Sequence, residues 1–82
     1  MYRIILTKKA IKDLEKLEDN IKMRIGEKLK FLSDNPYLYA KKLTNPEIGT
    51  YRFRIGDYRV IFDINENDIV ILRIGHRKEI YK

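Results

Sequence analysis

Hydrophobic and polar residues alternate one by one along residues 51–55 and again along 58–60, and Gly56 and Asp57 lie between the two runs. A period of two is typical of a β-strand, and glycine with aspartate between two such runs is typical of a two-residue hairpin turn. Pairing residue 55 with residue 58 gives the predicted hairpin one apolar face, which we expect to point into the core. That face carries Tyr51, Phe53, Ile55, Tyr58, Val60 and Phe62.

The other face of the predicted hairpin is basic. It carries Arg52, Arg54 and Arg59, and the pairing sets Arg54 directly opposite Arg59. Like charges that face each other across a strand pair are destabilising, so folding alone would not select this arrangement. A bound anion would compensate, because the planar guanidinium fork fits phosphate and carboxylate. The alternative is a solvated basic face with the carboxylate partners Asp57, Asp63 and Glu79.

Helical periodicity predicts two amphipathic helices in the first half of the chain, after a short apolar strand over residues 2–6. Thr7 is a suitable N-cap for the first helix. The second helix is expected to begin near Ile21 and to stop before Pro36, because proline disfavours helical backbone at the residue before it. Gly26, inside the second helix, is interpreted as a close helix contact. The two apolar stripes consist of Ala10, Ile11, Leu14 and Leu17, and of Ile21, Ile25, Leu29 and Leu32.

The remaining segments predict a small α+β domain. Residues 37–50 contain an Asn-Pro pair and a glycine, which indicate a loop with room for a short turn of helix. Residues 58–64 and 69–74 predict a second hairpin, and the apolar character of the latter run on both faces favours a central position in the sheet. The tail over 75–82 is too polar for a core strand. The predicted order is β-α-α-β-β-β in one domain over residues 1–82, with a helical hairpin on one face of a mainly antiparallel sheet and the arginines on the uncovered face.

Composition narrows the class of partner. The 82 residues carry 18 Lys+Arg against 12 Asp+Glu, which gives a net charge of +6 and favours a polyanion or an acidic protein as partner. A basic surface that serves only solubility is the alternative. The chain lacks cysteine, which excludes a disulfide framework and is compatible with a reducing cytoplasm. No apolar run approaches the roughly 20 residues that span a bilayer, so no membrane association is expected.

The polar tail holds further candidates for chemistry. His76 is the only histidine, so a metal site is not expected. Because a histidine side chain changes its charge near neutral pH, His76 is a candidate general acid or base, with an ordinary exposed histidine as the alternative. Tyr81 is either a terminal anchor on the sheet or a platform on which an RNA base stacks. Pairing 69–74 with 58–64 would bring His76 and Arg77 towards Arg59, although the register and the face remain open.

The arginine hairpin over 51–62, followed by Gly75-His76-Arg77-Lys78-Glu79-Ile80-Tyr81, resembles the RelE/ParE toxins of toxin–antitoxin pairs. The similarity covers nearly the whole chain and implies a RelE-like fold. In the RelE branch it implies a ribosome-dependent endoribonuclease that cuts mRNA by attack of the ribose 2′-OH, without a metal or cofactor. It also implies three partners, namely a cognate antitoxin, the ribosome and mRNA.

The resemblance carries roles to individual residues. Arg52 and Arg54 fall where RelE-type enzymes have basic residues on the first hairpin strand, and Arg59 matches the arginine that stabilises the transition-state phosphate. Arg77 and Tyr81 match the arginine after the last strand and the terminal tyrosine. We assign Arg54, Arg59, His76, Arg77 and Tyr81 to catalysis, and Arg52 and Lys78 to substrate binding.

Two departures from the family pattern affect the mechanism. Some RelE enzymes carry lysines in place of Arg52 and Arg54, and an arginine can hardly act as a base, which makes His76 the candidate base. The spacing from Arg77 to Tyr81 is also short for some members. A ParE-like toxin that binds DNA gyrase without enzymatic activity is the main alternative, and an inactive homologue held by its antitoxin is the other.

Overall fold

Four short apolar or alternating runs and two helical stripes of the sequence each form a regular element in the computed structural model. The structure describes residues 2–43 and 49–79, and the terminal Tyr81 lies outside them. Within those ranges, no helix is long and apolar enough to cross a bilayer. In chain order, the elements are β1 (Arg3–Leu6), α1 (Lys8–Glu15), α2 (Asp19–Asp34), α3 (Pro36–Tyr39), β2 (Lys41–Lys42), β3 (Tyr51–Ile55), β4 (Tyr58–Asn65) and β5 (Asp68–His76).

The strands form one sheet in the order β1-β5-β4-β3-β2, in which β1 runs parallel to β5 and the other pairs are antiparallel. The predicted hairpin register is confirmed, since Ile55 pairs with Tyr58 and Arg54 pairs with Arg59. The interior position predicted for β5 is confirmed too, because it lies between β1 and β4. The architecture is therefore the expected α+β arrangement with a mainly antiparallel sheet.

The predicted apolar face packs against the helices. Phe53, Ile55, Val60 and Phe62 are buried in one core cluster with helical residues, and Tyr51 packs against it half-buried. The helices contribute one face each to this cluster, as their apolar periodicity predicts. Their residues in the cluster are Ala10 from α1, and Ile25, Leu29 and Leu32 from α2.

A β-bulge interrupts the pairing of β4 with β5. Ile61 pairs with Arg73 and the next residue, Phe62, pairs with Ile71, so Leu72 is the extra residue on β5. Because of this insertion, Ile71 and Ile74 both reach the core although they are three residues apart. The strand also continues to His76, two residues beyond the predicted end, so its last two residues come from the tail that was predicted to be too polar for a core strand. Its pairing with Tyr58 extends the ladder despite the polar sequence.

Both predicted helices form, but the second begins earlier than predicted and its glycine does not have the predicted role. Thr7 caps α1 as expected, since its Oγ1 accepts a hydrogen bond from the Ala10 amide at 3.2 Å. The second helix begins at Asp19, two residues before the expected Ile21, and ends before Pro36. The interpretation of Gly26 was wrong, because a Cβ built at that glycine would have no heavy atom within 4 Å.

The segment after α2 is more regular than a loop. Pro36 begins the four-residue helix α3, and the two-residue strand β2 then pairs with the start of β3, with Lys41 opposite Arg52. The sheet therefore has one strand more than predicted. The exposed ring of Tyr37 holds α3 to the sheet through edge-on contacts with Tyr2 and Tyr51, with ring centroids 6.4 and 6.2 Å apart.

The face of the sheet that carries the arginines is partly covered, contrary to the expectation that it is open. Ile61 lies on this face and is fully buried. The backbone at Gly49 approaches it so closely that an added Cβ would lie 2.6 Å from Ile61 Cγ2 and 3.0 Å from Leu72 Cδ1. The next residue is tied to the same face, because the Thr50 amide donates to Asp63 Oδ1 at 2.8 Å. Glycine is thus required at position 49 by a close approach of backbone to side chains.

The two glycines predict opposite responses to alanine. We expect Gly26→Ala to raise the free energy of unfolding by about 0.5–1 kcal/mol, because alanine has the better helix propensity and meets no steric obstacle. Gly49→Ala should lower it by about 1–3 kcal/mol, because the methyl group would collide with Ile61. Urea denaturation of both variants measures the difference. A stabilised Gly49→Ala variant would contradict the close packing over Ile61.

Candidate functional site

The basic face of the sheet gathers four cationic side chains from three strands. The tight turn at Gly56, which has φ of +59°, sets Arg54 opposite Arg59, and β2 adds Lys41 opposite Arg52. Glycine adopts this left-handed backbone without strain. These side chains surround a cavity of about 180 Å³ that is lined by Tyr39, Lys41, Arg52, Phe53, Arg54 and Arg59.

Most cations of this basic face form no ion pair in the part of the chain that the structure describes. Among the residues that the structure describes, Lys41, Arg52 and Arg54 form no ion pair, while Arg59 is half-buried. Asp63, one of the carboxylates considered as a partner for the arginines, instead accepts the Thr50 amide. Lys41, Arg52 and Arg54 surround one cavity without an ion pair among the described residues, which favours an anionic ligand over a purely structural role.

Two residues of the cavity were missed by the sequence analysis. Lys41 and Tyr39 both belong to the segment that was interpreted as a loop. A two-residue strand is too short to leave an alternating pattern, so hydrophobic periodicity could not have found β2. The only available signal was the basic pair Lys41-Lys42 after a proline-initiated turn. That signal does not indicate which strand the pair contacts.

His76 lies on the opposite face of the sheet from Arg54 and Arg59. It pairs with Tyr58, whose ring it meets edge-on with centroids 5.6 Å apart. Its Nδ1 accepts a hydrogen bond from the Lys78 amide at 3.2 Å. The imidazole lines a separate cavity of about 320 Å³ beside α1, together with Lys16 and Leu17. The structure therefore does not bring His76 together with the arginine pair.

Arg77 lies at the turn end of the arginine hairpin, as the pairing predicts. Its amide donates to the Asp57 carbonyl at 2.9 Å, and both Arg77 and Lys78 are exposed. Gly75 pairs with Arg59, so position 77 continues the row of the sheet that holds Arg59. The fifth predicted catalytic residue, Tyr81, lies outside the described residues.

The described residues contain no group of three or more His, Asp or Glu side chains that could hold a metal ion. What the cavity offers is a small volume lined by three arginines and a lysine. Such a set can bind a phosphate and can stabilise negative charge that develops on it during a reaction.

Comparison with known proteins identifies the family. Residues 4–81 match the family model described as the ParE toxin of the type II toxin–antitoxin system parDE. The chain belongs to this toxin family. Its relatives include the toxin RelG of Mycobacterium tuberculosis, which is 34% identical over 99% of this chain and 97% of its own length. The toxin RelE3 of Methanocaldococcus jannaschii is 30% identical over 96% of this chain and 94% of its own length.

The fold of this toxin agrees with that assignment. The crystal structure of the RelBE2 toxin–antitoxin complex from Mycobacterium tuberculosis contains a chain that superposes with a TM-score of 0.84. That chain is 34% identical, and the match covers 93% of this toxin and 98% of the other chain. The RelE-like α+β fold is thus established for this toxin.

One carboxylate of α1 binds β5 beyond the residues that pair with β1. Asp13 Oδ2 accepts hydrogen bonds from Arg73 Nε at 2.7 Å and from the Ile74 amide at 3.0 Å. Burial raises the pKa of Asp13, but the hydrogen bonds from Arg73 and Ile74 outweigh burial and leave the pKa below its ordinary value. The same hydrogen bond raises the pKa of Arg73, so the ion pair persists at neutral pH.

The lowered pKa of Asp13 predicts a pH-dependent contribution to stability. A carboxylate whose pKa is lower in the folded than in the unfolded state stabilises the fold above its ordinary pKa of about 3.9, and the contribution disappears as pH falls through the folded pKa. We expect Asp13→Asn to lower the free energy of unfolding by about 1 kcal/mol at pH 7. This is less than for a fully buried ion pair, because Arg73 is partly exposed. The cost should shrink below about pH 4.

Thermal unfolding of Asp13→Asn and the wild-type toxin between pH 2.5 and 7 measures this cost, on the pH range where a carboxylate titrates. Glu27→Gln is the control, because Glu27 is exposed on α2 and makes no ion pair among the described residues. A cost for Asp13→Asn that is equal at both ends of the range would exclude the ion pair as its source.

Proposed function

We propose that this toxin is a metal-independent, ribosome-dependent endoribonuclease that cuts mRNA and so inhibits translation. The observation that carries the proposal is the direct opposition of Arg54 and Arg59 beside a cavity that Lys41 and Arg52 also line. The RelE names of the curated relatives support the same branch of the family. The cytoplasm, where ribosomes are found, is the expected site of action.

In the proposed reaction, the 2′-OH of a ribose attacks the adjacent phosphorus and the bond from phosphorus to the 5′-oxygen breaks. The products are a cyclic phosphate and a 5′-OH. The phosphate gains negative charge in the transition state, and preorganised cations that stabilise this charge accelerate the reaction. We assign this role to Arg54 and Arg59, with Arg77 at the turn end of the same sheet row and Arg52 binding the neighbouring substrate.

The proposal gives His76 no part in proton transfer, because its ring lies on the helix-covered face of the sheet. The arginines can hardly accept a proton either. The protein alone is thus a poor catalyst for free RNA, and the ribosome would supply the in-line geometry of the 2′-OH and the leaving oxygen. Lys78 keeps its assignment to substrate binding and Tyr81 its assignment to catalysis.

We expect Arg59→Ala to reduce cleavage of ribosome-bound mRNA by about 10²–10³, because it removes a donor aimed at developing charge. Arg59→Lys should recover only part of the rate, since one ammonium replaces a bidentate fork. Mapping of mRNA 5′ ends on programmed ribosomes measures both rates, and Lys12→Ala on the exposed side of α1 is the control.

The same assay tests the rest of the mechanism. Naked RNA should be cut weakly or not at all, and equal rates on naked and ribosome-bound RNA would exclude ribosome dependence. Full activity of Arg59→Ala would exclude the role of Arg59. A loss for His76→Ala as large as that for Arg59→Ala would return the histidine to the mechanism. Intact mRNA with damaged DNA in expressing cells would instead support gyrase as the target.

We also propose a cognate antitoxin as the stable partner of this toxin. A net charge of +6 favours an acidic partner, and Met23, Tyr37 and Leu38 are each more than half exposed on the helical side. The related chain from Mycobacterium tuberculosis was solved as a toxin–antitoxin complex. An acidic, partly disordered segment that folds on binding would cover such a surface.

Co-expression with the protein encoded beside this toxin should therefore yield a complex that survives purification. Amides of α2 should gain protection from hydrogen exchange in the complex relative to the toxin alone. High-level, harmless expression of the wild-type toxin by itself would contradict the requirement for an antitoxin.

A further inference from the structure

A second concave surface lies beside the arginine cavity, between α2 and β3. It is a groove of about 410 Å³, a size typical of sites that bind small ligands. The buried side chains of Phe53 and Ile55 lie at its base, and the exposed rings of Phe31 and Tyr39 border it. Its complete lining is Arg24, Lys28, Phe31, Tyr39, Phe53, Arg54, Ile55 and Gly56, which includes three cations and no carboxylate.

The groove is open because β2 is short. Lys41 and Lys42 pair only with the first two residues of β3, so no described strand pairs with Phe53–Ile55 on that side. The outer side of β3 at this point therefore borders the groove.

The cations on α2 are held in position beside the hairpin. The guanidinium of Arg24 lies against the tight turn, where a Cβ built on Gly56 would be 3.6–3.7 Å from its atoms. Lys28 is one turn further along the same helix face, and its ammonium lies 5.4 Å from the centre of the Phe31 ring. Neither Arg24 nor Lys28 forms an ion pair among the described residues. The groove thus presents uncompensated positive charge next to an exposed aromatic ring.

The groove continues directly into the arginine cavity. Tyr39, Phe53 and Arg54 line both, so the two share a border along β3. A polyanion held between Arg54 and Arg59 would enter the groove with the next part of its chain.

We propose that the α2–β3 groove is a second RNA-binding subsite, in which Arg24 and Lys28 bind backbone phosphate and Phe31 stacks on a base. This proposal deepens the proposed endoribonuclease function. It rests on that function because the function places the RNA chain at Arg54, from which the RNA enters the groove. Unpaired cations with interleaved aromatic rings are what single-stranded RNA requires, because every nucleotide combines a phosphate with a flat π-face. An acidic peptide would use the cations but gains no particular advantage from continuity with a phosphate-binding cavity.

The binding test uses the full-length toxin and a labelled single-stranded RNA of about eight nucleotides, within the range that one such surface covers. The RNA carries 2′-O-methyl groups, so that it cannot be cut. For Arg24→Ala with Lys28→Ala, we expect affinity about tenfold lower, and the slope of log affinity against log salt should fall by about 0.7 for each lost phosphate contact. Lys8→Ala with Lys12→Ala is the matched control, because these exposed lysines have the same four-residue spacing on α1.

Phe31 tests the stacking contact separately. Phe31→Ala should also lower affinity about tenfold, within the range that base stacking contributes, but should leave the salt slope unchanged. Phe31→Tyr should restore binding, since it keeps an aromatic face. Melting curves of all variants exclude loss of folding as the cause, and unchanged RNA affinity in folded Arg24→Ala with Lys28→Ala would overturn the subsite.

Two further outcomes separate this proposal from the proposed function. If the wild-type toxin cuts ribosome-bound mRNA and the double variant does so with the same KM, the subsite is wrong while the nuclease function stands. If the wild-type toxin cuts nothing but RNA binding responds as expected, the nuclease function fails and the subsite stands. If the double variant lost antitoxin binding but kept its RNA affinity, the groove would be a peptide site and the proposal would be overturned.

Discussion

The two-residue turn at Gly56 and Asp57 determines which side chains of the hairpin share a face. Because the turn pairs Ile55 with Tyr58, it sends one face of the hairpin into the core and sets Arg54 against Arg59 on the other. Moving the register by one residue would reverse both faces at once. The burial of the core and the assembly of the basic cavity are thus consequences of one constraint. The favourable free energy of core packing offsets the electrostatic repulsion between the two arginines.

Much of the fold follows from local patterns of the sequence. Period two predicts the hairpin with its register, and the apolar spacing with Thr7 as cap predicts α1. The parts that were missed depend on contacts between distant segments. The two-residue strand β2 exists only because β3 offers it an edge, and the requirement for Gly49 arises from the approach of its backbone to Ile61. Gly26 is the opposite case, because it lies inside a helix and no neighbouring atom requires a glycine at that position.

The residues of the candidate site are likewise of two kinds: some positions follow from local sequence and others depend on contacts between distant segments. The opposition of Arg54 and Arg59 could be predicted, because it depends on one short turn. Lys41 could not, because its position depends on the pairing of β2. For His76 the sequence left the face open, and the bulge at Leu72 decides it in favour of the helix side. The catalytic roles proposed for these residues rest on the family resemblance.

The bulge on β5 has a consequence for how this protein family can change its chemistry. With strict alternation, the parity of Ile69 and Ile71 would place position 76 on the basic face and position 77 on the helix-covered face. The single extra residue Leu72 exchanges them, so the only histidine faces α1 and the row of Arg59 continues towards Arg77. Insertion or deletion of one residue at this point can therefore swap which ionisable group faces the arginine cavity, a rearrangement that would otherwise need two coordinated substitutions.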